Sequence, residues 1–128
     1  MAKILIVEDD PALQRLYTNT LGLTEHTLDL AGDGEVAMQK VAEFKPDLIL
    51  LDIVMPKING IEVLVNLKSN PETQNILIVV FTNAYSGKSI ESAKAMGVTD
   101  FLVKSDTEPD VLLEHIERIL RERLPAAA

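Results

Sequence analysis

The sequence predicts an α/β domain, a five-stranded parallel sheet with helices packed on both faces. Three observations lead there. Aliphatic runs of strand length alternate with apolar residues at helical spacing along the whole chain. The inner runs Ile4-Leu-Ile-Val7, Leu48-Ile-Leu-Leu51 and Ile76-Leu-Ile-Val-Val-Phe81 contain no polar residue, as expected of parallel strands buried on both sides. Each run closes on a polar group: acids after the first two, Thr82 after the third.

Composition bounds the rest. The 128 residues and the 47% hydrophobic share suit one globular domain. We expect that domain over residues 1–124 and a frayed tail over 125–128. The formal net charge of −8 argues against direct binding of nucleic acid or an anionic membrane. The absence of cysteine excludes disulfides and thiol chemistry. No apolar run is long enough to span a bilayer, and the chain enters a strand at Ile4 without a signal-peptide pattern. A cytoplasmic location is the expectation.

The first strand ends in Glu8-Asp9-Asp10, and Asp10-Pro11 suits the cap and first turn of a helix. Leu13, Leu16, Tyr17 and Leu21 form its apolar spacing, and Gly22 suits its end. Thr27-Leu-Asp-Leu-Ala31 alternates and is more polar, which reads as an edge strand. Asp33-Gly34 opens a second helix carried by Val36, Val41 and Phe44, and Pro46 ends the connection. The third strand, from Leu48, stops at Asp52, and Pro56 follows. Asn59-Gly60-Ile-Glu62 starts a third helix with a cap and a glutamate three positions on. Ser69-Asn70-Pro71 breaks that helix. After the strand ending at Phe81, Ser86 can cap a fourth helix carrying Ile90 and Ala93, with Gly97 beyond its last turn. The fifth strand, Thr99 to Val103, ends at Lys104. Thr107 can cap a last helix that buries Leu112, Ile116, Ile119 and Leu120, with Glu114–Arg118 and Glu117–Arg121 spaced to pair on its surface. Right-handed crossovers and the outer position of the polar second strand fit the flavodoxin-like order 2-1-3-4-5.

In that order the groups that follow the strands converge on one rim: Glu8 and Asp9, Asp52, Thr82 and Lys104. Crowded carboxylates either take up a proton or recruit a cation. Oxygen ligands favour a hard divalent ion such as Mg2+. An aspartate beside Mg2+ can act as a nucleophile toward phosphorus, with Lys104 shielding the phosphoryl charge and Thr82 donating to it.

The sequence resembles a response-regulator receiver domain, the phosphoacceptor of two-component signalling. The resemblance runs from about Lys3 to Arg123 and rests on Glu8-Asp9-Asp10-Pro11, on Asp47-Leu-Ile-Leu-Leu-Asp52 with Met55-Pro56 and Gly60, and on Thr82, Phe101 and Lys104. It implies that Asp52 accepts the phosphoryl group. Asp9, Asp52 and the backbone carbonyl of Val54 would bind Mg2+, with Glu8 acting through water. Thr82 and Phe101 would form a switch pair, and the fourth helix, fifth strand and fifth helix the output surface. The implied partners are a sensor histidine kinase or histidine phosphotransfer protein and a downstream target or output domain. A phosphorylation-dependent dimer is compatible with this picture.

The departures from the family pattern fall at Asn83, at Ser105 and at the pair Val54 and Ala84. Asn83 stands where the family prefers a very small residue, which would narrow access for small phosphodonors. Ser105 stands where the family often has proline. Val54 and Ala84 carry no group to orient an attacking water, so the resemblance implies slow hydrolysis of the phosphorylated form. Other readings exist for single residues. Asp10 suits a plain helix cap, Thr82 a strand end and Phe101 a core aromatic, while His26, His115 and Tyr85 read as surface residues. A phosphohydrolase would want an acid in place of Val54, and a nucleotide binder would want glycines in the Glu8–Pro11 turn.

Overall fold

The computed structural model describes residues 2–54, 59–83 and 88–123, without the side chain of Ser89. The anticipated Met55-Pro56, Ala84, Tyr85, the cap Ser86, the last domain residue Leu124 and the tail 125–128 lie outside the described residues. The elements run β1 (Lys3–Val7), α1 (Pro11–Leu21), β2 (Thr27–Ala31), α2 (Gly34–Phe44), β3 (Leu48–Leu51), α3 (Gly60–Ser69), β4 (Leu77–Thr82), α4 (Lys88–Ala95), β5 (Asp100–Val103) and α5 (Pro109–Arg123). A 3-10 turn, Lys104–Asp106, separates the last two. The strands form one sheet in the order β2-β1-β3-β4-β5, and every pairing is parallel.

Alternation along the inner strands sorts their side chains into two cores. Leu5, Val7, Ile49, Leu51, Ile78 and Val80 face a cluster that α2, α3 and α4 complete with Val41, Leu64 and Ala93. Ile4, Ile6, Leu48, Leu50, Val79 and Phe81 face the other, which α1 and α5 complete with Tyr17, Leu21, Leu112 and Ile116. Both faces are covered, so the strands need no polar residues until they leave the sheet. Among the described residues no helix is long and apolar enough to cross a membrane.

Local chemistry sets the helix starts. The Asp10 carboxylate accepts from the Ala12 N–H at 2.8 Å, Asp33 from Val36 at 2.9 Å and Asn59 from Glu62 at 3.1 Å. Lys45 ends α2 in the left-handed region (φ 53°), and Gly97 follows α4 with φ 76°, where glycine carries no steric penalty.

The structure corrects several sequence expectations. Thr107 is not the cap of α5: the helix starts at Pro109, and the Thr107 hydroxyl donates to the Val103 carbonyl at 2.9 Å, closing the preceding turn. Leu16 belongs to the apolar spacing of α1 yet is 41% exposed. His26 is not a free surface residue. Its Nδ1 accepts from the Ala2 N–H at 3.0 Å and its Nε2 lies 2.5 Å from Glu117 of α5. His115 sits beside Asp100 (3.3 Å) and Arg118 (3.0 Å).

Candidate functional site

Parallel pairing brings the carboxyl ends of β1, β3, β4 and β5 to one edge. Val7 pairs with Leu51, Leu51 with Val80 and Thr82 with Val103. The β1–β3 ladder continues one residue further, with the Asp52 N–H donating to the Val7 carbonyl at 3.1 Å, and so does the β1–β2 ladder, with the Glu8 N–H donating to the Ala31 carbonyl at 3.0 Å. Glu8 and Asp52 are therefore held side by side by backbone hydrogen bonds.

Glu8 is 2% exposed and Asp52 6%, while Asp9 is exposed. One oxygen from each of the three carboxylates lies within 4.8 Å of the others. Lys104 reaches in from the end of β5; its Nζ donates to Asp52 Oδ2 at 2.9 Å and also to Glu8. The second Glu8 oxygen accepts the Asp10 N–H at 3.1 Å, and Asp52 Oδ1 accepts the Val54 N–H at 3.2 Å.

Burial pushes the Glu8 carboxyl above its ordinary value. The Lys104 and Asp10 hydrogen bonds and the lysine charge oppose that rise, and Asp52 adds to it. Burial would also lower Lys104, but its bonds to Glu8 and Asp52 outweigh this and leave the ammonium above its ordinary value. One ammonium thus faces two buried carboxylates and an exposed third. The surplus of negative charge and the all-oxygen donor set fit a hard divalent cation. Nothing soft, neither thiolate nor imidazole, belongs to this cluster.

The remaining expected residues fall nearby. Thr82 is buried at the end of β4. Phe101 pairs in register with Val80 and packs against the same core cluster, on the α4 side of the sheet. By strand alternation Thr82, two residues beyond Val80, shares that face. Lys94 of α4 lies over the Phe101 ring, 5.0 Å from its centroid. Val54 meets Asp52 through its N–H, and its side chain is 65% exposed. The Lys104–Ser105 peptide is trans, there being no cis bond among the described residues.

Of the further contributors, Gln14 gave no signal in the sequence, while Tyr17 read only as helix core and Gly60 as a helix start within the resembling segment. The Gln14 amide donates to the Glu8 carbonyl at 2.6 Å and steadies the end of β1. Tyr17 stands edge-on to Phe81, with centroids 5.2 Å apart, in a wall shared with Glu8 and Asp52. Gly60 donates to the Ile53 carbonyl at 2.9 Å, and a Cβ there would lie 2.5 Å from Ile53 Cα and collide with the Asp52 carbonyl. Beside Lys104, a groove of about 390 Å³ runs between Leu13, Leu16 and Tyr17 of α1 and the start of α5.

Comparison with known proteins agrees with this geometry. The family model described as the response regulator receiver domain matches residues 4–117. The chain is 35% identical to Response regulator Rcp1 of Synechocystis sp. (strain PCC 6803), covering 97% of this chain and 93% of that protein. The Mn2+-bound form of Rcp1 superposes with a TM-score of 0.80, 29% identity and coverage of 99% and 98%. The phosphorylated cyanobacterial phytochrome response regulator RcpA gives a TM-score of 0.80, 31% identity and coverage of 99% and 96%. Response regulator MprA of Mycobacterium leprae is 31% identical over 96% of this chain but 53% of its own length, and the chain spans about half of several such curated relatives. With the family model matched from Ile4 to Glu117, across the sheet and all the acids of the rim, the chain belongs to the response regulator receiver domain family.

Proposed function

We propose that this receiver domain, spanning residues 1–124, is a phosphorylation-activated switch with Asp52 as the phosphoacceptor. One observation carries the reading: the carboxylates of Glu8, Asp9 and Asp52 converge within 4.8 Å at the sheet edge, and Lys104 spans two of them. Receiver domains are in general phosphoacceptors rather than enzymes, and the exposed apolar side chain of Val54 offers no acid or base for turnover.

The donor would be a phosphohistidine on a sensor kinase or phosphotransfer protein. The apolar groove beside Lys104 suits docking of such a partner next to the acceptor. An Asp52 carboxylate oxygen forms the new bond to phosphorus. The bond from phosphorus to the donor nitrogen breaks, and its electron pair stays on the imidazole. Asp9, Asp52 and the Val54 carbonyl would hold Mg2+, with Glu8 acting through water. The metal supplies charge neutralisation for the transferring oxygens. Lys104 leaves its shared position between Glu8 and Asp52 to pair with the phosphoryl group.

The added dianion then biases a two-state element. The Thr82 hydroxyl moves toward the phosphoryl oxygens, and the Phe101 ring follows on the same face of the sheet. The surface of α4, β5 and α5 changes in turn, to control a protein partner, an attached output segment or a dimer. The acidic domain itself is read as free of nucleic acid and membrane, and as cytoplasmic.

Beryllofluoride with Mg2+ tests the reading, followed by amide NMR. The expected shifts cluster at residues 52–54, 82–83 and 100–104 and vanish in Asp52→Asn. Shifts that persist in Asp52→Asn, or no shifts in the wild type, contradict it.

A further inference from the structure

Asn83 is the first residue past β4, directly after Thr82. Ser105 follows Lys104 in the 3-10 turn beyond β5. The backbone pairing of these two strands ends at Thr82 with Val103. The Asn83 side chain continues it: its Oδ1 accepts the Ser105 N–H at 3.0 Å. The first N–H groups of a helical turn have no partner inside the turn, and this one is satisfied from the neighbouring strand. The far end of the turn is closed by its own residues, through Thr107 Oγ1 to the Val103 carbonyl at 2.9 Å and the Thr107 N–H to Lys104 at 3.3 Å. Asn83 supplies the tie from outside. A proline at 105 would have no N–H to give, so the bond depends on both residues at once.

Lys104 leaves the backbone next to that bond and carries its Nζ to Asp52, 2.9 Å away. Small displacements of a group that stabilises a transferring phosphoryl are costly in rate. We propose that Asn83 is a positioning residue for Lys104. By accepting the Ser105 N–H it ties the turn bearing the ammonium to the strand end bearing the Thr82 hydroxyl. The two groups then address one phosphoryl as a unit. The inference rests on the reading of Asp52 as phosphoacceptor. It differs from the expectation that Asn83 narrows access for small phosphodonors, because an obstacle and a support predict opposite effects on removal.

The test is a double-mutant cycle of Asn83→Ala and Ser105→Pro, with phosphoramidate as donor, Mg2+ present and phosphorylation followed by intact mass. Asn83→Ala is expected to slow the reaction about fivefold, the size of one modest hydrogen bond. In the Ser105→Pro background, where no N–H remains, the same change should alter the rate by less than about twofold. Faster or unchanged phosphorylation in Asn83→Ala overturns the proposal, as does equal slowing in both backgrounds. Should Ser105→Pro fail to fold, hydrogen exchange decides on Asn83→Ala alone. The Ser105 amide is expected to exchange about five times faster than in the wild type, and unchanged exchange overturns the proposal. A wild type that takes no phosphoryl group sinks the reading of Asp52 and the role in catalysis with it. That failure is distinguishable, because the Ser105 exchange would still respond to loss of the Asn83 amide.

Discussion

Replacing Lys104 with methionine keeps most of the side-chain volume and removes the charge. The Lys104 side chain is 9% exposed, and its two partners, Glu8 and Asp52, are 3% and 8% exposed. The change leaves two nearly buried carboxylates facing each other without a counter-ion. Breaking a buried ion pair from one side costs about 3–5 kcal/mol. With a urea slope of about 2 kcal/mol per molar, the midpoint should fall by about 2 M at pH 7 without metal. The sign of the pH dependence follows from Glu8, whose carboxyl burial raises and Lys104 holds down. Losing the lysine raises its folded value further, so the penalty is present where Glu8 must ionise and shrinks as pH falls and it takes up a proton. Mg2+ should therefore stabilise the variant more than the wild type, since the cation replaces the missing ammonium. Urea unfolding at pH 7 and pH 4.5, with and without Mg2+, measures all of this. A variant as stable as the wild type at pH 7, or a deficit that ignores both pH and Mg2+, would show that Lys104 does not neutralise these carboxylates.

Gly60→Ala should destabilise the fold by about 3 kcal/mol and slow phosphorylation, because the new methyl meets the backbone of Asp52 and Ile53, which cannot rotate away; a melting temperature equal to the wild type's would contradict this. The phosphorylated protein should lose its phosphoryl group over minutes or longer at neutral pH, as the Val54 side chain offers nothing to orient water; decay within seconds after removing the donor counts against it. Of the two tyrosines, Tyr17 should ionise above the usual 10.0: burial raises it, with Glu8, Asp52 and Asp10 adding to the rise and Lys104 opposing it. Its contribution to stability is present below the unfolded value and is lost as pH rises through the folded one. Absorbance titration of the wild type and Tyr17→Phe checks this, and an unchanged late transition in the variant contradicts it.

The layers and the rim were legible because period and topology are local signals. Ile4 to Val7, Leu48 to Leu51 and Leu77 to Phe81 are apolar on both faces, and a parallel sheet makes the groups that follow them neighbours. Glu8, Asp9, Asp52 and Lys104 could thus be placed together before any contact was known. Contacts between distant elements left no such trace. Glu117 has the spacing of a helix-surface pair with Arg121, yet it meets His26 across 91 residues. Thr107 looks like a cap, but a nearer acceptor at Val103 takes its hydroxyl and Pro109 starts the helix instead. Asn83 and Ser105 each stood out singly in the sequence, and only the fold shows them bonded to each other. Leu16 keeps helical spacing but borders an open groove rather than the core.

Whether the clustered acids and their cation make Asp52 reactive toward phosphorus is decided by intact mass after incubation with phosphoramidate. One phosphoryl adduct is expected on the wild type with Mg2+, none with chelator and none on Asp52→Asn. An adduct that survives chelation, or one that forms equally on Asp52→Asn, would contradict it.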